Sequence, residues 1–235
     1  MSILIKITRK LQDIYFRIKI KVYGLRNLPV QTKKERNVFK AIFGQASSGK
    51  GRLKIFEWGS GFSTLYYAKY LTGGNIDFEW HAIDNHRGWY ETIKSLLMRN
   101  NLSDKVHLYL QEFPPFWEKP GWGPLPPPCG VFAPCLDNEK KYINLPLQLG
   151  GKFDVVIVDA RFRRHCIQVA REVLKPTGIV ILHDAQKKHY QTGLDAFPYG
   201  RFIDSGNLYP LQEVPNSVWV GSMQQHPVFE TLKGF

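Results

Sequence analysis

Cysteine is scarce in this chain of 235 residues, with only Cys129, Cys135 and Cys166. Three thiols without paired spacing exclude a disulfide framework and a zinc-finger ligand set. They suit a reducing, cytoplasmic compartment. No run of eighteen apolar residues occurs, which excludes an ordinary membrane-spanning helix. Acidic residues are nearly missing from the first 54 positions, where fourteen Lys and Arg meet only Asp13 and Glu35. The rest of the chain carries eighteen charges of each sign, so the net +12 belongs entirely to the N-terminal segment. A basic pI usually points to nucleic acid, but a balanced main body argues against that partner. No internal repeat is visible.

What is present divides in two: a basic helical extension over residues 1–35 and a main domain over 36–235. Within 1–24, Leu4, Ile7, Leu11, Ile14, Tyr15, Ile18 and Val22 recur at helical spacing among basic residues. Charges interrupt every apolar stretch, so a secretory signal fits poorly. A basic amphipathic helix either packs on its own domain or lies on an anionic surface, here the inner face of a membrane.

The main domain alternates strands and helices. Strands are expected at 53–58, 78–84, 106–111, 153–159 and 178–183, and helices at 36–46, 62–72, 89–100 and 163–174. That alternation implies crossover connections and a mostly parallel sheet covered on both faces. Segments 201–204 and 217–222, joined without a helix, predict an antiparallel edge. The expected architecture is a Rossmann-like α/β three-layer sandwich with seven strands. One interval breaks the rhythm: residues 113–152 hold nine of the fifteen prolines and six aromatics, Trp122 among them. A connection of this length is usually functional or disordered, and its aromatic content points to an ordered flap beside the site.

The strongest chemical signal is Glu57-Trp58-Gly59-Ser60-Gly61-Phe62-Ser63-Thr64, between an expected strand and helix. Two glycines let the backbone turn sharply against a ligand, and the helix start offers free N–H groups. A dinucleotide site would show G-x-G-x-x-G, but Thr64 stands in the third position. Glu57 would also repel a phosphate, so a cationic ligand fits better. Asp84, ending the second strand, is placed to accept ribose hydroxyls. Together they ask for a ligand with a ribose, a positive group and no phosphate at the turn, and S-adenosylmethionine satisfies all three.

On these residues, with Asp159 and the 178–184 strand end, the chain resembles class I S-adenosylmethionine-dependent methyltransferases over roughly residues 53–222. It is similar to small bacterial members carrying V-D-G-R-x-R-x-x-C and a later H-D pair. Here these read Val158 to Cys166, with Ala160 in place of the glycine, and His183-Asp184. The resemblance implies that Glu57, Gly59, Ser60, Gly61, Ser63 and Thr64 hold the methionine end of the cofactor. It implies that Asp84 and Asn85 take the ribose, and that Gln111 or Glu112 approaches the adenine. Asp159, His183 and Asp184 are the candidate catalytic groups at the strand tips. Arg161, Arg163 and Trp122 are candidates for holding an acceptor, though the arginines fit a solvated helix face equally. Asp159 and Asp184 could share a divalent cation as in catechol-type enzymes, but no third ligand is evident, so no metal is assigned. The resemblance supplies the cofactor better than the acceptor, and the acceptor expected here is a small molecule or glycan.

Gly44 to Gly51 imitates a phosphate-binding loop, but Gly51 replaces the required hydroxyl and the segment precedes a strand. It reads as a flexible connection. The competing functional reading is a catalytically silent methyltransferase-like module that docks on a membrane or partner through the basic N-terminus.

Overall fold

The structure, a computed structural model, describes residues 22, 25–26, 28–48, 51–112, 137–187, 190–206 and 215–235. The expectations placed on the amphipathic helix, on Trp122 and on most of the proline-rich interval lie outside the described residues. No helix among the described residues is long and apolar enough to cross a membrane.

Seven strands form one sheet: β1 (Leu53–Trp58), β2 (Phe78–Asp84), β3 (Val106–Leu110), β4 (Phe153–Val158), β5 (Leu174–Leu182), β6 (Tyr199–Gly206) and β7 (Asn216–Ser222). Their order is β3-β2-β1-β4-β5-β7-β6. The first five run parallel, while β7 is antiparallel to both β5 and β6. The connections between parallel strands include α2 (Phe62–Gly73), α3 (Arg87–Arg99), α4 (Asp137–Gln148) and α5 (Arg163–Val173), with α1 (Lys33–Ser47) preceding β1. Alternation along β1 and β2 sends Ile55, Trp80 and Ala82 to a core shared with α1, α2 and α3. Phe56, Trp58 and Ile83 face the opposite core, closed by α4, α5 and α6 (Gln191–Leu194). This is the expected three-layer α/β sandwich with an antiparallel edge.

Three local features differ from the sequence reading. Helix α1 begins at Lys33 rather than 36, because Thr32 and Glu35 form a reciprocal capping box. Gln31, just before it, is buried and accepts a hydrogen bond from the Tyr67 hydroxyl. Residues 44–47 of the imitation phosphate loop are the last turn of α1, not a connection. Strand β5 starts at Leu174, four residues earlier than expected, since Leu174 already pairs with Phe153 ahead of a register shift.

The proline-rich interval also contains a helix, α4, despite Pro146 inside it. Proline lacks the N–H that would reach the carbonyl four residues back, here that of Tyr142. The indole of Trp58 donates to that carbonyl instead, at 3.2 Å. The second side chain of the Glu57-to-Thr64 motif thus replaces the missing helix bond and fastens α4 to β1. Trp58→Phe is expected to strip that carbonyl of its donor and destabilise the fold by about 1–3 kcal/mol, measurable as a lower denaturant midpoint.

Candidate functional site

The carboxyl ends of β1, β2, β4 and β5 meet where neighbouring connections leave to opposite faces, the place where open α/β sheets bind ligands. After β1 the chain turns at Gly59, whose φ of +95° lies in the left-handed region. A Cβ there would come within 2.4 Å of the Asp159 carbonyl oxygen, so only glycine fits. The turn therefore sits directly against the tip of β4.

Glu57 is fully buried beneath this turn. Its Oε1 accepts from Ser63 Oγ at 3.1 Å, and its Oε2 from Thr64 Oγ1 at 2.6 Å and Trp80 Nε1 at 3.1 Å. Thr64 Oγ1 in turn accepts from the Gly61 amide at 2.9 Å. The side chains of Ser63 and Thr64 are therefore both engaged with Glu57. Glu57 is a peg that joins α2, β2 and the turn. What the turn offers a ligand is backbone: the first amides of α2, which helix geometry leaves without an intrahelical acceptor.

Burial pushes the Glu57 carboxyl up to about 8, against the opposing bonds from Thr64, Ser63 and Trp80. The folded protein holds this proton to about pH 8, while the unfolded chain releases it near 4.5. The native state binds the extra proton, so stability falls as pH rises through that window, by on the order of several kcal/mol. Glu57→Gln keeps an acceptor for Trp80 and Thr64 and a donor for Ser63. It is expected to flatten this fall, read as unfolding free energy between pH 4.5 and 8.

Asp84, ending β2, is 7% exposed. Its Oδ1 accepts from the His86 amide at 2.8 Å, and its Oδ2 lies 3.4 Å from Ser60 Oγ. Burial raises this carboxyl to about 6, although the His86 and Asn85 amides and Ser60 hold it down. Trp89, at the start of α3, donates through its indole to the Ser60 carbonyl at 2.6 Å and packs edge-on against Phe62. Asp84, Ser60 and Trp89 thus enclose one corner. The Gln111 amide bonds the Asp84 carbonyl at 3.0 Å, which sets the end of β3 beside that corner. Glu112 is instead engaged by Arg87 through two guanidinium nitrogens, an exposed ion pair.

The tips of β4 and β5 form a second group. Asp159 Oδ1 lies 3.1 Å from His183 Nδ1 and 2.9 Å from an Arg163 guanidinium nitrogen. Arg163 also reaches Asp184 Oδ2 at 3.2 Å and donates to the carbonyls of Ala160 and His183. Its side chain is 11% exposed and turned to these partners, the arrangement of a brace. On the inner side, His183 Nε2 stands 3.4 Å from Glu35 Oε1 of α1. Burial alone would lower the imidazole, but Asp159, Asp184 and Glu35 outweigh it and hold His183 well above the ordinary histidine value. The three carboxylates around it favour the protonated imidazole, against its burial. The same two cations, His183 and Arg163, keep the Asp184 carboxyl low against its burial.

Asp159, His183 and Asp184 do come together closely enough to hold a metal ion. Arg163, however, already bridges both carboxylates, so a divalent ion would have to displace that cation. The backbone is unusual on both sides: Phe162 (φ 56°) and Asp184 (φ 53°) occupy the left-handed region, whereas Ala160 does not. Non-glycine residues held there cluster at functional sites. Arg161 is half-buried beside this group. Sequence reasoning missed Glu35 and Trp89 as parts of the site. The T-x-x-E capping pattern at 32–35 was a usable signal for the first. Nothing short of the fold places Trp89 against Ser60.

No protein-family model matches the sequence, and no curated protein matches it. Solved structures do. A Staphylococcus aureus protein assigned as a caffeoyl-CoA O-methyltransferase superposes with a TM-score of 0.54 at 10% identity, over 93% of this chain and 98% of that one. An O-methyltransferase from Bacillus cereus in complex with SAH gives 0.54 at 13% identity, over 86% and 88%. Cofactor-bound Rv0187 from MTB gives 0.52 at 15% identity, over 81% of each chain. The chain has the Rossmann-like α/β fold of the methyltransferases among these structures.

Proposed function

We propose that this chain is an S-adenosylmethionine-dependent methyltransferase acting on a small-molecule or glycan-like acceptor. The observation that carries the reading is the corner where Asp84 Oδ2 meets Ser60 Oγ of the glycine turn at 3.4 Å. A buried carboxylate there suits the paired hydroxyls of a ribose, and the amides opening α2 suit a carboxylate. Burial pushes the Asp84 carboxyl up to about 6, and that of Glu57 beneath the turn to about 8. Above about pH 6 Asp84 is ionised, which suits a cationic nucleoside and not a pyrophosphate. The SAH-complexed and cofactor-bound structures of the same fold support the choice.

The bound cofactor supplies an activated methyl group, and the protein's work is to position the acceptor in line with it. Orientation of this kind supplies about 7–11 kcal/mol of the barrier. Asp159 and Asp184, with side chains 26% and 28% exposed, are the groups that face an acceptor. His183, at 7%, and Arg163 act as positioning residues that fix those carboxylates. The test is methyl transfer from isotopically labelled cofactor by the full chain to small-molecule, glycan and RNA fractions. Label in the first two supports the reading, whereas label confined to RNA overturns the acceptor class.

A further inference from the structure

Away from the crevice, β2 and β3 bring a second cluster together on one face of the sheet. Glu79 and His81 alternate on β2, and His107 stands opposite His81 in the parallel register of β3. His81 Nε2 is 3.4 Å and His107 Nε2 is 3.7 Å from the same oxygen, Glu79 Oε1. The two rings lie 4.9 Å apart between centroids, and one ligand atom from each residue falls within 4.8 Å of the others. Among the described residues, these imidazoles are the only basic groups at salt-bridge distance from Glu79.

Two ligands bound at 2.0–2.1 Å to a tetrahedral ion stand about 3.3–3.4 Å apart. The Glu79–His81 separation already has that value, and the Glu79–His107 separation exceeds it by a few tenths of an ångström. His81 is also oriented from behind, since its Nδ1 is 3.0 Å from the Tyr109 hydroxyl. A hydrogen bond to the second ring nitrogen is the usual support of a metal-binding histidine, fixing the tautomer that leaves Nε2 open. The cluster contrasts with Asp159, His183 and Asp184, where Arg163 fills the cationic position. The His107 side chain is 39% exposed on the edge strand, which leaves the cluster open to solvent.

We propose that Glu79, His81 and His107 form a binding site for a zinc-type divalent cation, with Tyr109 orienting His81 and solvent completing the coordination. Two imidazoles and one carboxylate are the donor set that borderline first-row ions prefer over magnesium or calcium. The ion would clamp β3, the edge strand, to β2. It would do so independently of the methyl-transfer reading, because the ligands lie on the strands before their carboxyl ends. From His81 to Asp84 is three residues, about 10 Å along the strand.

The test is calorimetric titration of ZnCl2 into the full chain after chelator treatment and buffer exchange. One ion per chain is expected. His81→Ala and His107→Gln should each weaken binding at least about 100-fold, and Tyr109→Phe about 10-fold or more. Co2+ in place of Zn2+ should give the intense visible absorption of a low-coordinate site, lost in His107→Gln. Absence of stoichiometric binding overturns the proposal. So does binding that persists undiminished in the histidine variants, which would place the ion elsewhere. His107 is exposed enough for its replacement to leave the core undisturbed, so that variant decides the question even if His81→Ala unfolds.

Discussion

Asp84→Ala is expected to weaken S-adenosylmethionine binding by about 100-fold or more while the protein stays folded. Hydrogen bonds to a charged acceptor contribute about 1.5–3 kcal/mol each, and a ribose presents two hydroxyls to this carboxylate. The fold tolerates the loss because burial raises Asp84 to about 6 in the free protein, so the ionised carboxylate is not a source of stability there. The same shift gives a pH dependence. Ligand hydroxyls favour the ionised form, so affinity should be retained above pH 6 and lost as pH falls through it. Titration at pH 5 and pH 7.5, with an unfolding curve for the variant, separates loss of the ligand from loss of the fold. An Asp84→Ala protein that binds the cofactor as tightly as the parent would remove Asp84 from the site.

The second large effect concerns Arg163. Arg163→Met is expected to cost about 3–5 kcal/mol, because breaking a buried pair from one side leaves its partners uncompensated. Asp159 and Asp184 would then face each other with only His183 between them. For a chain of this size the melting temperature should fall by roughly ten degrees. An arginine used to grip an anionic acceptor behaves differently: its removal raises KM and leaves stability nearly unchanged. Thermal unfolding of the variant therefore decides between brace and substrate clamp.

The parallel half of the sheet was legible because its strands announce themselves. Phe153 to Val158 is apolar except for Asp154, since β4 is buried on both faces, and the glycine turn follows β1 without interruption. Helix α4 was hidden because Pro146 argues against a helix, and its rescue by Trp58 comes from a residue 84 positions distant. The start of α1 was obscured by charge: the basic excess drew a boundary after residue 35, which parts the capping box and Glu35 from the rest of their helix, although the fold buries Glu35 beside His183. Within the site, residue types were readable and partnerships were not. Asp159 and Arg163 are close in sequence, but Asp159 lies outside the helix that Arg163 opens, so their ion pair depends on the left-handed turn at Phe162. The upward shift of His183 was not legible, because it depends on Asp159, Asp184 and Glu35, three carboxylates from three separate elements. Glu79 and His81 alternate toward one face as any strand would. Only the register of β2 against β3 adds His107 to them.

The central claim is that the Asp84 corner houses a sulfur nucleoside, and calorimetric titration of the full chain with S-adenosylhomocysteine at pH 7.5 tests it most directly. Saturable binding of one molecule per chain, abolished by Asp84→Ala and indifferent to added NAD or ATP, is the predicted result. No heat of binding from S-adenosylhomocysteine or S-adenosylmethionine, or displacement of either by a nucleotide, would contradict it.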